Sequence, residues 1–357
     1  MLGIPNRTDV VAAAANLYDA TLGGGLADTR RMPSELIDEG PLRRVHRYLP
    51  LGRPARSLPV LLVPPLAAPA VCFDLRRGCS VAEHLLQRGH DTYLVDYGPV
   101  RFSDRSLGLE HWIEDVIPRT IRAVLHDARD RPVQLVAWCL GGILALLAHA
   151  ADPRLPVAST ALIASPFDFS RVPLVAPLRP IAALTQGQVV TQLYRLLGGA
   201  PAPLVKRGYQ LAGFDKYVMK PWTVLRNLHD RELLAQIEAV DAFMDAMHAY
   251  PGRTFGQLYH RFFRANDLAD GRLALSDRTL DVSAVRVPVL AIAGEGDGIA
   301  PVAACHHLGD LLPGARLETA PGGHLGVLTG RAARGTTWVL LDRFLAEHGA
   351  RPRGAAA

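Results

Sequence analysis

The 357-residue sequence has few of the features that mark disulfide-rich, metal-binding or membrane-spanning proteins. It contains four cysteines, Cys72, Cys79, Cys139 and Cys305, whose spacing fits neither a zinc site nor a dense disulfide framework. It has no apolar run long enough to cross a bilayer, and its first residues lack the basic and apolar regions of a secretory signal. We therefore expect a protein of the reducing cytoplasm, without a structural metal or a transmembrane segment.

Aromatic residues are also scarce, and neither sign of charge dominates strongly. Phe, Trp and Tyr make up 6% of the chain, and 39 basic against 34 acidic side chains give a formal net charge of +5. The densest basic stretches are the pairs Arg30-Arg31, Arg43-Arg44 and Arg76-Arg77, with no aromatic residues interleaved. This pattern argues against nucleic-acid binding, whereas a basic rim would suit an anionic substrate such as a phosphopantetheine thioester.

Hydrophobic residues make up 49% of the chain, and their spacing predicts the fold class. Short apolar runs typical of buried strands alternate with helical patterns. The strands are predicted at 59–63, 92–95, 133–137, 159–164, 287–293 and 315–320. Such alternation is typical of an α/β protein with a mainly parallel sheet flanked by helices. Together with the turn described below, it predicts an α/β-hydrolase fold with a helical cap insertion.

The rhythm of strands divides the chain into four parts. Residues 1–45 are predicted as a helical lead-in, and residues 346–357 as a flexible tail. The α/β core covers 46–169 and 281–345. The intervening residues 170–280 show a long helical pattern at about 232–250 and no convincing strand, which predicts a helical cap over the site. A separate helical domain is the alternative, but the strand pattern resumes immediately afterwards and favours the cap.

The segment from 133 to 150 carries the most informative motif, an apolar strand that runs through a tight turn into a helix. Cys139 lies at the tip of the turn, in an A-x-C-x-G pattern with Ala137 and Gly141. A nucleophile elbow requires this strand–turn–helix order and small residues around its strained tip. The helix N-terminus favours a thiolate at Cys139, and the N–H of Leu140 is placed to donate to a developing oxyanion. Cys139 is the predicted nucleophile; the alternative is a small buried residue after a strand.

Two residues of the turn depart from the usual G-x-S-x-G pattern, and a third, Trp138, lies directly before the predicted nucleophile. Ala137 replaces the first glycine with the next smallest residue. Cysteine replaces serine, and a thiolate exchanges thioesters with little change in bond energy, so the acyl group stays activated for a second acceptor. Trp138, directly before the nucleophile, is a candidate for lining a substrate channel or for packing.

An acid and a base follow in the order that a hydrolase triad requires. Asp297 comes just after the strand predicted at 287–293, and His324 lies in a glycine-rich loop after the strand predicted at 315–320. His324 would exchange protons with the thiol or an acceptor hydroxyl, and Asp297 would fix its tautomer. Glu295, His306 and His307 are weaker rivals, because the first is outside the expected position and the two histidines fall in a helix.

Taken together, these segments resemble the polyhydroxyalkanoate synthases, especially the short type that works with a partner subunit. The resemblance covers about residues 58–345. The matching segments are 59–63, 73–75, 80–86, 93–98, the elbow at 137–142, 165–169, 216–217, 266–268 and the loops that carry Asp297 and His324.

The resemblance implies a site and a reaction. It implies that Cys139, Asp297 and His324 are catalytic, and that a backbone N–H near Ala67 is the second oxyanion donor. It also implies acyl transfer from a hydroxyacyl coenzyme A thioester to the hydroxyl of a growing polyester. The thioester is then a substrate, and the reaction needs no metal or redox cofactor.

Two positions depart from the family pattern on the side of the acceptor. Family members usually carry an asparagine where this chain has Ala68, and a histidine directly after the catalytic aspartate, where it has Gly298. Both residues are therefore candidates for the substrate channel. Both changes remove polar groups while leaving Cys139, Asp297 and His324 in place.

Four functions remain open at the level of sequence. The first is a polyester synthase, and the second is a dedicated acyltransferase that passes an acyl group from coenzyme A or a carrier protein to a hydroxyl, amine or thiol. The third is a thioesterase, with water as the acceptor, and the fourth is a non-enzymatic subunit. A homodimer, through the cap or the N-terminal helix, or a complex with a partner subunit is compatible with each of them.

Overall fold

The computed structural model describes residues 7–52, 57–173, 188–212 and 214–349, and one eight-stranded sheet lies at its centre. The strands are β1 Ser34–Gly40, β2 Arg43–Tyr48, β3 Val60–Val63, β4 Thr92–Asp96, β5 Val133–Trp138, β6 Val157–Ile163, β7 Val289–Gly294 and β8 Arg316–Ala320. Their spatial order is β1-β2-β4-β3-β5-β6-β7-β8. Strand β2 is antiparallel to β1 and β4, and the remaining pairs are parallel.

Helices cover the sheet and form the insertion between β6 and β7. They are α1 Arg7–Thr21, α2 Val81–Gln87, α3 Ile117–Asp127, α4 Leu140–Ala151, α5 Gln188–Leu197, α6 Ala202–Ala212, α7 Phe214–Arg226, α8 Arg231–Asp245, α9 Gly252–Gln257, α10 Val302–His306, α11 Leu308–Leu311, α12 Gly326–Thr329 and α13 Thr337–Gly349. Two π-helical segments, His111–Val116 and Leu258–Ala265, precede α3 and follow α9. None of the described helices is both long and apolar enough to span a bilayer.

The central strands and helix α4 form the core that holds the candidate site. All four residues of β3 and all six of β5 are buried, as expected for parallel strands covered on both faces. Helix α4 is buried from Leu140 to Ala150, because it is apolar all round and lies against the sheet. Each fully buried leucine or isoleucine contributes about 1.5–3 kcal/mol to stability. This packing fixes the start of α4, where Cys139 lies.

The prediction of a helical lead-in is wrong for residues 34–45. Helix α1 is present, but Ser34–Gly40 and the start of Arg43–Tyr48 form an antiparallel hairpin that joins the main sheet. The hairpin lies at the edge of the sheet and is fixed by charged side chains: Arg44 pairs with Asp96 at 2.7 Å, and Arg47 pairs with Asp127 at 3.0 Å. It therefore lacks the continuous apolar run that identifies a central strand.

The insertion is helical, but it contains short strands that the sequence did not indicate. Residues Gly199–Ala200 pair with Tyr250–Pro251, and Arg272–Ala274 pair with Thr279–Asp281. Strands of two or three residues are too short to show an alternating pattern. The predicted helix at 232–250 is α8, which ends at Asp245. Part of the predicted cap, residues 174–187, lies outside the described residues.

The predicted tail begins too early in the sequence. Residues 346–349 continue helix α13, whose side chains Phe344 and Leu345 pack into the core. A helix that is anchored on its apolar face continues through the polar residues that follow. The rest of the predicted tail, 350–357, lies outside the described residues.

Helix α8 connects the insertion to the core and to the N-terminal helix. Arg76, which is only 5% exposed, pairs with Glu232 of α8 at 2.8 Å. On the other side, Arg231 of α8 pairs with Asp19 of α1 at 2.5 Å, and the N–H of Leu26 donates to Glu238 of α8 at 2.7 Å. Helix α8 is therefore held between α1 and the edge of the core.

Candidate active site

Cys139 occupies the turn between β5 and α4 in a strained backbone conformation. Its φ of 54° and ψ of −128° are unfavourable for a residue with a Cβ. Three hydrogen bonds hold the turn: the N–H of Cys139 donates to the carbonyl of Ile163 at 2.9 Å, and its own carbonyl accepts from Ser165 Oγ at 2.8 Å and from the N–H of Gly142 at 3.0 Å. The side chain is 7% exposed. Strain that the surroundings maintain in this way is typical of a nucleophile elbow.

Glycine is required after the tip of the turn because two backbones approach closely there. A Cβ on Gly141 would lie 2.5 Å from the carbonyl oxygens of both Val63 and Pro64. A Cβ on Gly142 would lie 2.2 Å from Ser165 Oγ. The N-terminus of α4 is therefore pressed against the loop after β3. This contact brings Leu140 next to the loop that carries the second predicted oxyanion donor.

Asp297 and His324 form a buried pair in the loops after β7 and β8. Asp297 Oδ2 accepts a hydrogen bond from His324 Nδ1 at 2.8 Å. Its other oxygen, Oδ1, accepts from the N–H groups of Ile299 and Ala300 at 2.8 and 2.9 Å. A carboxylate only accepts hydrogen bonds, so the proton lies on Nδ1 and Nε2 is left to act on the thiol.

The Nε2 atom of His324 faces Cys139. It is buried without a well-formed hydrogen bond within the described part of the chain. Burial alone would lower the pKa of His324, but the negative charges of a Cys139 thiolate and of Asp297 outweigh it and raise the pKa to about 10. The arrangement therefore stabilises the imidazolium form of His324 beside Cys139.

Trp138 contacts both His324 and the insertion. Its indole N–H donates to the backbone carbonyl of His324 at 3.1 Å, and the two ring centroids are 5.0 Å apart. Its ring also lies 6.3 Å from Phe243 of α8. The structure thus gives Trp138 a packing and positioning role, and its predicted place along a substrate channel stays a prediction.

The two predicted oxyanion donors lie on adjoining elements. Leu140 is the first residue of α4, where a backbone N–H has no partner within its own helix. Ala67 lies in the loop after β3 with a left-handed φ of 64°. Its carbonyl accepts from the N–H of His248 at 2.8 Å, which fixes this loop against the insertion.

Ala68 and Gly298 have different surroundings. Ala68 is buried and lines a cavity of about 10 Å³, which His248 and Asp96 also line. Gly298 is exposed on the loop of Asp297. His248 could not be predicted from the sequence, because its position beside Ala68 depends on how the insertion folds back. Burial lowers the pKa of His248, although the charge of Asp96 opposes this effect.

The rivals of the acid and the base lie outside this arrangement. Glu295 is exposed. His306 Nε2 contacts the carbonyl of Glu318 at 3.0 Å, and His307 Nε2 contacts that of Ala269 at 2.8 Å. Among the described residues, no group of His, Cys, Asp or Glu side chains is arranged to hold a metal ion.

The sheet order and the site define the class of protein as an α/β-hydrolase fold with a cysteine at the nucleophile elbow. A solved structure with this fold, an esterase named RhEst1 from Rhodococcus sp. ECU1013, superposes with a TM-score of 0.50 at 17% identity. The match covers 90% of this chain and 100% of the esterase. At this identity the match shows the fold alone.

Sequence relatives narrow the class further. The chain is 25% identical over 356 residues to a poly(3-hydroxyalkanoate) polymerase subunit PhaC from Allochromatium vinosum, covering 94% of this chain and 97% of that protein. It is 24% identical to proteins of the same name from Synechocystis sp. and Haloferax mediterranei, covering 85% and 89% of this chain. It spans 81% of the Synechocystis protein but only 64% of the Haloferax protein. No protein-family model matches the chain.

These relatives confirm the resemblance to polyhydroxyalkanoate synthases, because the chain is similar to PhaC subunits over most of its length.

Proposed function

We propose that this protein is a polyhydroxyalkanoate-synthase-like acyltransferase that carries its acyl group as a thioester on Cys139. The observation that carries the proposal is the buried Asp297–His324 pair, whose free Nε2 faces a cysteine in a strained elbow. Homology to PhaC subunits supports a thioester donor and a hydroxyl acceptor.

The first half-reaction loads the enzyme. The Cys139 thiolate attacks the carbonyl carbon of the donor thioester, and the N–H groups of Leu140 and Ala67 stabilise the oxyanion that forms. The carbon–sulfur bond to the donor then breaks. His324 gives its Nε2 proton to the departing thiolate, so that a free thiol leaves and an acyl-Cys139 remains.

The second half-reaction regenerates the starting charges. Neutral His324 removes the proton of the acceptor hydroxyl through Nε2 as the hydroxyl oxygen attacks the acyl carbon. The bond to Cys139 breaks, and the thiolate returns beside the imidazolium. Asp297 holds the imidazole in one orientation throughout and stabilises its charged form. No cofactor enters this scheme.

A dedicated acyl shuttle is the second candidate, and the surroundings of Ala68 favour it. The cavity beside Ala68 is small and lacks the asparagine of typical synthases, and Gly298 offers no side chain. The residues at 68 and 298 do not prevent loading of Cys139 in this proposal, because the elbow and the Asp297–His324 pair are retained. The two candidates therefore share the first half-reaction and differ in the acceptor.

The test follows both half-reactions with 3-hydroxybutyryl coenzyme A. We expect intact-mass spectra to show an acyl adduct that is absent from Cys139→Ala and retained in Cys79→Ser, a matched control at another buried cysteine. Continuous release of coenzyme A with insoluble polymer supports the synthase. A single stoichiometric burst supports the shuttle. If no coenzyme A or carrier-protein thioester leaves an adduct, the proposal is wrong.

A further inference from the structure

A basic cavity of about 500 Å³ lies on the insertion, away from the elbow. It is an open cavity bordered by α5, α9, the π-helical segment after α9 and the helical turn Phe102–Ser106, which contains Arg105. Its polar lining comes mainly from four arginines and two rings: Arg105, Arg195, Arg253, Arg261, Tyr194 and His260. The described residues that line it include no aspartate or glutamate. Its volume falls in the range of small-molecule sites.

Two of the four guanidinium groups have no counter-charge within the described residues. Arg253 pairs with Glu110 at 2.9 Å, and Arg261 pairs weakly with Asp267 at 3.6 Å. Arg105 instead donates to the carbonyl of Phe102 at 3.2 Å, and Arg195 forms no ion pair with the described carboxylates. The described side chains that line the cavity therefore leave part of its positive charge unbalanced.

The positive charges of the cavity affect the pKa of His260. Burial, together with the charges of Arg264, Arg195 and Arg261, lowers the pKa of His260. Its Nε2 contacts Thr191 Oγ1 at 3.1 Å, and its ring centroid lies 6.4 Å from that of Tyr194. Two rings beside several guanidinium groups suit a ligand that has a flat base as well as phosphates.

The cavity shares a structural element with the surroundings of Cys139. Gly198 and Gly252 line the cavity and flank the short ribbon Gly199–Ala200 with Tyr250–Pro251. A Cβ on Gly199 would lie 2.1 Å from the carbonyl of Tyr250, so the ribbon depends on glycine for its close pairing. On the other side of the ribbon, Pro251 lines the small cavity beside Ala67 and Ala68, so the ribbon lies between the basic cavity and the loop after β3.

We propose that this cavity binds the phosphorylated nucleotide end of a coenzyme A thioester while the acyl end reaches Cys139 across the ribbon. The inference rests on the proposed function for its donor, and it selects coenzyme A over a carrier protein. A phosphate monoester carries about −1.5 to −2 charge at pH 7, and a nucleotide with several phosphates matches several guanidinium groups. The phosphodiester of a carrier arm has a single charge and no base to fill a concave site between two rings.

The test measures binding separately from catalysis, with adenosine 3′,5′-bisphosphate as the probe. This nucleotide has no thioester, so its binding by calorimetry does not depend on Cys139. We expect the wild-type protein to bind it and Arg195→Gln and Arg105→Gln each to weaken binding by about tenfold, because each removes a charge-assisted contact. Arg154→Gln, at an exposed arginine outside the cavity, is the matched control and should bind as the wild type does.

A second measurement compares two donors of the same acyl group. The Arg195→Gln variant should raise the KM for the coenzyme A thioester, while leaving unchanged its rate with an N-acetylcysteamine thioester, which lacks the nucleotide. The inference is overturned if the probe does not bind, if both variants bind it as the wild type does, or if only a carrier-protein thioester loads Cys139. If binding of the probe depends on Arg195 but no thioester acylates the protein, the nucleotide site is supported and the proposed function is wrong.

Discussion

The indole N–H of Trp138 donates to the backbone carbonyl of His324, so the residue before Cys139 is hydrogen-bonded to the loop of His324. This hydrogen bond connects the elbow after β5 to the histidine loop after β8. The contact between Trp138 and Phe243 connects both of them to helix α8 of the insertion. The distance between thiol and imidazole thus depends on packing that involves three distant parts of the chain.

Removal of the indole hydrogen bond should slow loading of Cys139 without weakening donor binding. Trp138→Phe keeps an aromatic ring but loses the N–H, at a cost of about 1 kcal/mol in unfolding free energy. We expect a lower single-turnover acylation rate with the KM for donor unchanged. Denaturant unfolding and rapid-quench acylation measure the two effects. Equal rates for the variant and the wild type would rule out a positioning role.

Loss of the carboxylate charge at 297 should be far more severe. In Asp297→Asn, the amide can donate to Nδ1 and so favours the wrong tautomer of His324. By analogy with serine-protease triads, we expect the acylation rate to fall by about 10³ to 10⁴. Glu295→Gln, at the exposed rival in the same loop, is the control and should keep full activity. Similar losses in both variants would mean that Asp297 is not the acid.

The raised pKa of His324 predicts that the effect of this histidine on the reactivity of Cys139 depends on pH. The pKa rises from an ordinary 6.5 to about 10, so the imidazolium persists at neutral pH and is lost as the pH passes about 10. We expect iodoacetamide to label Cys139 faster in the wild type than in His324→Gln near pH 7, and the difference to vanish above about pH 10. An equal labelling rate at all pH values would contradict the ion pair.

The same rise in the pKa of His324 predicts how the free energy of unfolding changes with pH. Because the pKa of His324 is higher in the folded protein than in the unfolded chain, folding takes up a proton between the two values. The resulting stabilisation is complete below about pH 6.5 and declines as the pH rises towards about 10. Urea midpoints of wild type and His324→Gln, compared at pH 6 and pH 9.5, should therefore converge at the higher pH.

A methyl group at Gly141 should damage both the fold and the oxyanion site. The added Cβ would meet two backbone carbonyls at 2.5 Å, neither of which can rotate away. We expect Gly141→Ala to lose about 1–3 kcal/mol of stability and to load Cys139 more slowly. Gly208→Ala, within α6 and with open space around the added carbon, is the matched control and should be neutral or slightly stabilising. Thermal denaturation distinguishes the two variants.

The sequence predicted those parts of the molecule that local patterns determine. The buried parallel strands, the elbow at Cys139 and the loops of Asp297 and His324 each lie within a short segment whose apolar run or glycines can be recognised directly. The hairpin of β1 and β2 was missed because its residues are largely polar and charged, and because it pairs with a strand far along the chain: Arg44 lies opposite Asp96, 52 residues away.

The parts that were missed around the site are assembled over long sequence separations. His248 reaches Ala67 only because the insertion folds back over the loop after β3. The basic cavity combines Arg105, before the insertion, with Arg195 and Arg253 inside it. Local sequence patterns cannot show that residues so far apart in the chain lie side by side. The sequence alone therefore indicated a net positive charge but not where that charge is concentrated.

Helix α8 is held on two sides. Arg231 of the helix pairs with Asp19 of α1, and the N–H of Leu26 also donates to a side chain of the helix. On the other side, Arg76 of the core pairs with Glu232. An outward movement of α8 would have to break these contacts or carry the segment around Leu26 with it. If the donor of the proposed reaction enters beneath α8, the N-terminal contacts add to the free-energy cost of its admission.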